Sequence, residues 1–209
     1  MSTAGSMSGM RADPTRTIVM IFNMQNEIVH PQGHIGARGN AARVRDRGVL
    51  IHTATVLSAA RTRGLPVFYV GNAYNGAYDG LNRSVKLFAE QERLQRMQLG
   101  SWGAQFHAQV APLDEDTVVY HAGIGSFANC AIGDLLPAAE GTHVYVAGVS
   151  TRLVVEAAVF ELTDRGYQVT VLADCCTASG QAAHDDALQT LALFAGIADS
   201  DDFVRSVRA

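Results

Sequence analysis

The chain predicts a three-layer α/β/α fold on a mostly parallel sheet of five to six strands, and three observations carry that expectation. From residue 16 onward, short β-branched runs alternate with longer segments of helical period, the pattern of strands joined by crossover helices. The strand candidates are apolar almost throughout, as strands covered on both faces must be. At 209 residues, with 48% hydrophobic and 17% charged content and no internal repeat, the sequence fits one domain over residues 16–209.

The elements follow in order. Thr17–Phe22 (TIVMIF) is a buried strand, and Asn40–Arg63 a helix with Val44, Leu50, Ile51, Thr55 and Leu57 on one side and Gly64 as terminator. Pro66–Val70 is the second strand; Gly71–Gly80, rich in Gly, Asn and Tyr, is a loop at its carboxyl end. Leu81–Met97 is charged and helical, Thr117–His121 the third strand, and Phe127–Ala139 a short helix. His143–Ala147 is the fourth strand, followed by an apolar helix over Thr151–Arg165 that stops at Gly166. Gln168–Ala173 is the fifth strand, Gln181–Ala195 a helix, and Phe203–Val207 a final edge strand. Sites in such sheets form beyond the strands' carboxyl ends, so the residues to weigh begin at Asn23, Gly71, His121 and Gly148.

Composition narrows the function. Sixteen basic against 20 acidic residues, net charge -4, without a Lys/Arg cluster, argue against a nucleic-acid groove or an anionic membrane surface. The apolar runs are too short to span a bilayer, which needs about 18 residues. Cys130, Cys175 and Cys176 are an odd set with two adjacent, so a reducing, cytoplasmic setting is expected. Residues 1–15 lack the apolar core of a secretory signal and read as a disordered tail. A small-molecule ligand is the expected partner.

Several motifs are missing. No phosphate loop and no G-x-G-x-x-G follows a strand; Gly123-Ile124-Gly125 lacks the third glycine. Gly148-Val149-Ser150-Thr151-Arg152 lacks the closing glycine of a serine-hydrolase elbow. His30 and His34 lie four apart in a loop with Pro31 and Gly33 and read as solvated imidazoles, so neither metal nor cofactor is expected. Cys175-Cys176 reads as buried packing.

Four segments carry a resemblance. TIVMIFNMQNEIVHPQG (17–33) is similar to an apolar strand followed by D-x-Q-N-D and a Pro/Gly loop, and GSWGAQFHAQVAP (100–112) to a G-[ST]-W-G-A stretch. VVYHAGIGSF (118–127) resembles a strand and loop carrying a lysine and then Phe; VAGVSTRLVVEAAVFELTDRGYQVTVLADCC (146–176) resembles a G-V-x-T-x-x-C-V-E helix and its following strand. Together, in this order, they resemble the isochorismatase-like cysteine hydrolases, a group of Rossmann-like sheets that includes isochorismatase, nicotinamidase and N-carbamoylsarcosine amidohydrolase.

The resemblance implies a base carboxylate after the first strand, a lysine after the third and a nucleophilic cysteine opening the helix after the fourth. Those positions hold Asn23, His121 and Val154. Asn23 cannot take a proton, and Val154 offers no nucleophile. The resemblance further implies a cis bond between Val149 and Ser150, with the Ser150 and Val154 amides forming an oxyanion or anion cradle. It places Gln25, Ile28, Tyr74, Trp102 and Phe127 around the substrate, puts Cys175-Cys176 at a turn after the fifth strand, and implies a homodimer or homotetramer. No nicotinamidase-type metal site is expected, because GNAYNGAYDG contains no D-x-H.

Two readings of the replaced triad follow. In one, His121 is the acid/base of a thiol-independent enzyme acting on a small carbonyl or carboxylate compound, oriented by Asn23 or Glu27. Glu27 could equally brace its loop, and Tyr74, Tyr78 and Tyr120 could be proton donors or pocket walls. In the other reading the chain is a pseudoenzyme that binds a ligand or another subunit; Trp102, Gly103, Phe127, Thr151 and Glu156 still match the family pattern.

Overall fold

Apolar strands with both faces buried require helices on each side, and the computed structural model has that arrangement. It describes residues 16–127 and 130–208. Six parallel strands run in the order β3-β2-β1-β4-β5-β6: β1 Thr17–Phe22, β2 Val67–Asn72, β3 Thr117–His121, β4 His143–Val149, β5 Gln168–Thr177 and β6 Gly196–Ala198. The helices are α1 Asn26–Val29, α2 Ala41–Asp46, α3 Val49–Thr62, α4 Lys86–Arg93, α5 Ile132–Leu135, α6 Glu156–Asp164, α7 Gln181–Leu191 and α8 Ser200–Arg208.

Alternate side chains of β1 feed two cores. Val19 and Ile21 join Val56 and Leu57 of α3 and Phe203 of α8. Ile18, Met20 and Phe22 join Val155, Val159 and Leu162 around α6 on the other face. Among the described residues no helix is long and apolar enough to cross a membrane.

Several expected elements change. The single helix over Asn40–Arg63 is two, because Gly48 adopts φ +64 and ends α2 before α3 begins. The edge strand expected at Phe203–Val207 is helix α8: Phe203, Val204 and Val207 share one buried face, Asp201 and Asp202 occupy the first turn, and Arg205 and Arg208 the last. The sheet edge is instead the short β6, paired to Thr170–Leu172 of β5. Helix over Leu81–Met97 shrinks to α4, which stops before Gln95 and Met97, both at positive φ. Of Phe127–Ala139 only α5 is helical; residues 128 and 129, like the tail expected over 1–15, lie outside the described residues. The helix expected to reach Ala195 ends at Leu191. Strand β5 continues through Cys175 and Cys176, both fully buried, so this pair lies in a strand and not at a turn.

Candidate active site

The strand order reverses between β1 and β4, and a crevice opens at that switch point. The register makes the strand ends level: Phe22 pairs with Gly148 and Asn72 with His121. The chain leaves β1 at Asn23, in a left-handed conformation with φ +53. It leaves β4 through a cis bond between Val149 and Ser150, as the family resemblance implies. A cavity of about 390 Å³ lies above these ends, within the usual range for small-molecule sites.

Asn23, Ile28, Tyr74, Ser150 and Val154 all line this cavity. Tyr74 is 3% exposed, stacks on Tyr78 with ring centroids 5.1 Å apart, and has an unpartnered hydroxyl; burial raises its phenol above the ordinary value. Tyr78 is spoken for, since its hydroxyl donates to the Arg96 carbonyl at 2.6 Å.

His121 lies behind the wall. It is 2% exposed, with Nε2 3.3 Å from Asn23 Oδ1, and its Nδ1 has no partner. Burial pushes the imidazole down to about 4, opposed in part by the Gly123 main chain, so the ring is neutral at physiological pH.

Glu27 is not brought to His121. Its carboxylate is buried on α1, 3.6 Å from Arg96 Nη1. Gln25 is fully engaged: Nε2 donates to the carbonyls of Asn72 at 2.9 Å and Ala104 at 2.7 Å, while Oε1 accepts from the Asn72 amide at 2.8 Å. It therefore ties β2 and the 102–104 turn to the end of β1 instead of facing a ligand. Trp102 is 45% exposed, edge-on to His30 at 5.1 Å. Phe127 lies under the Arg165 guanidinium at 4.8 Å and packs on the α6 core. Neither ring is among the cavity-lining residues.

The cavity has polar neighbours that sequence reading missed. Arg38, Asn40, Arg43, Asn72, Glu90, Gln91 and Arg96 all line it. No motif marks them, and only packing turns their side chains inward. Among the described residues, no cysteine lines the cavity, and no group of three or more His, Cys, Asp or Glu could hold a metal ion. Burial raises the Cys175 and Cys176 thiols, the latter to about 12.

A network outside the cavity holds its walls together. Thr151 Oγ1 meets His184 Nδ1 at 2.8 Å, and His184 Nε2 meets Arg47 at 2.9 Å. Arg47, at the end of α2, also donates to the Ala173 and Cys176 carbonyls and to Gln181 Oε1.

Comparison with known proteins agrees with this architecture. The chain is 25% identical over 202 residues to the ureidoacrylate amidohydrolase RutB of Variovorax paradoxus, covering 90% of this chain and 80% of that protein. A cysteine hydrolase from Pseudomonas syringae pv. phaseolicola superposes with a TM-score of 0.82 at 20% identity, covering 97% of this chain and 99% of that one. N-carbamoylsarcosine amidase from Thermoplasma acidophilum gives a TM-score of 0.68 at 19% identity, with 89% and 97% covered. The isochorismatase-domain family model matches residues 17–202, nearly the whole described chain, and the protein belongs to the isochorismatase family.

Proposed function

We propose that the cavity recognises a small carbonyl- or carboxylate-containing molecule without a covalent thiol step. One observation carries this reading: Val154 occupies the cavity wall at the turn beyond β4, and no cysteine among the described residues lines that wall. A thiol route needs a thiolate facing the ligand. Cys175 and Cys176 are buried and raised, and Asn23 supplies no base in their place. Ser150 and Val154, whose amides the family resemblance assigns to a main-chain cradle for a carbonyl or carboxylate oxygen, both line the cavity.

The reading of His121 as acid/base has one observation in its favour, the 3.3 Å contact with Asn23. Against it stand the ring's burial and its depressed pKa, which leave almost no imidazolium at neutral pH to act as an acid. Non-covalent recognition is therefore the better-supported function.

The test uses nicotinamide and phenylacetamide with the wild-type chain and with Val154→Phe, which fills the cavity. The expected result is no ammonia release from either amide, and binding of a cavity-sized ligand that Val154→Phe abolishes. Ammonia release by the wild type that thiol alkylation stops would overturn the proposal.

A further inference from the structure

The charges around the cavity do not balance in the same way at each arginine. Arg96 is 9% exposed and lies between two carboxylates, with Nη1 3.6 Å from Glu27 and Nη2 3.8 Å from Glu90. Arg38 reaches Glu90 at 3.8 Å and is 62% exposed, so water screens it as much as its partner does. Arg43 differs from both. It projects from α2 into the cavity wall, is half-buried, and among the described residues has no carboxylate within ion-pairing distance. Its Nε is buried and without a hydrogen-bond partner.

A buried polar atom in a folded protein is nearly always satisfied, and an unsatisfied one marks a place for water, an ion or a ligand. Among the described residues, four such atoms belong to side chains that line the cavity: Arg43 Nε, Arg96 Nε, the Tyr74 hydroxyl and Gln91 Oε1. Glu90 is shared by Arg38, Arg93 and Arg96, whereas Arg43 has no carboxylate of its own, and its planar fork matches a carboxylate. Ile28, Ile35, Phe88, Leu153 and Val154 give the same space an apolar side, beside the polar Asn23, Asn40, Asn72, Ser150 and Ser179.

We infer that the cavity takes an amphipathic carboxylate, anchored by Arg43 and with its apolar body lying along Ile28, Phe88 and Val154. The inference rests on the reading of this cavity as the ligand site and adds the sign of the charge and the anchoring residue. Neutral amides of the same shape lose the charge-assisted Arg43 contact.

The experiment titrates the full chain calorimetrically with isosteric pairs, phenylacetate against phenylacetamide and 3-phenylpropionate against its amide. The wild type is expected to prefer each carboxylate by about tenfold or more, as a charge-assisted hydrogen bond in a part-buried site provides. Arg43→Gln is expected to remove that preference while leaving the weaker amide affinity in place. Arg43→Lys, which keeps the charge and loses the fork, restores part of it and shows that the loss in Arg43→Gln is not misfolding. Equal affinity of acid and amide in the wild type, a preference that survives Arg43→Gln, or no binding of either pair would each overturn the inference. Val154→Phe separates the two levels of the argument. If it abolishes binding while Arg43→Gln keeps the preference, the cavity stands as the ligand site and only the Arg43 assignment fails. If it leaves carboxylate binding unchanged, the site itself is misassigned.

Discussion

Replacing His121 by glutamine separates the titration of that ring from its hydrogen bond to Asn23, because the glutamine amide still offers a polar end and cannot protonate near pH 5. In the folded chain the imidazole is held at about 4, whereas unfolded it titrates at its ordinary 6.5. Between these values the unfolded chain binds a proton that the folded chain refuses. Stability therefore rises with pH across this window and is lost as pH falls through it. Going from pH 7 to pH 5, the difference amounts to about 2 kcal/mol for this one ring. His107, His143 and His184 are also held low by burial and add to the same slope, so the informative quantity is the difference between wild type and variant. Urea denaturation of both proteins at pH 7 and pH 5 measures it. His121→Gln should lose about 2 kcal/mol less than the wild type over that interval. Parallel losses, within about 0.5 kcal/mol of each other, would refute the picture of an excluded, neutral ring and would reopen His121 as a proton donor.

Two further substitutions test the framework around the site. Gly148→Ala places a Cβ 2.7 Å from Phe22 Cβ and 2.9 Å from the Phe22 carbonyl, in the strand pair that sets the cavity floor; the expected loss is about 1–3 kcal/mol by urea denaturation, because neither contact can swing away. Arg61→Met removes the partner 2.5 Å from Asp116, whose side chain is 2% exposed, and should cost about 3 kcal/mol. Arg61→Met with Asp116→Asn should recover part of that loss, since the stranded charge is then gone.

What the sequence revealed depended on whether the information was local. TIVMIF could be read as a strand covered on both faces because its apolarity does not alternate, and the ends of such strands locate the crevice from order alone. Phe203, Val204 and Val207 were misassigned because β-branched content suggests a strand, while their one-and-three spacing equally suits a helix face; Ser200 and the two aspartates that follow it decide for the helix. Gly48 breaks the helix expected over Asn40–Arg63, and the apolar period continues on either side of it, so the pattern alone runs through the break. Gln25 looked like a ligand contact because a buried amide has no local signature of its partners, which here lie at Asn72 and Ala104. Arg43 and Arg96 are 53 positions apart, and nothing short of the folded arrangement puts them on one cavity.

The contact chain from Arg47 through His184 to Thr151 has a consequence for how this pocket diversifies. It runs outside the cavity and fastens the helix bearing Arg43 to the turn bearing Val154, while the same guanidinium grips the end of β5 and the start of α7. The span between the two walls is thus set by a strut that no ligand touches. Side chains on the walls are free to vary and to retune which molecule fits, with the frame's dimensions unchanged. Loosening the strut has the opposite character: it weakens every ligand together and favours none.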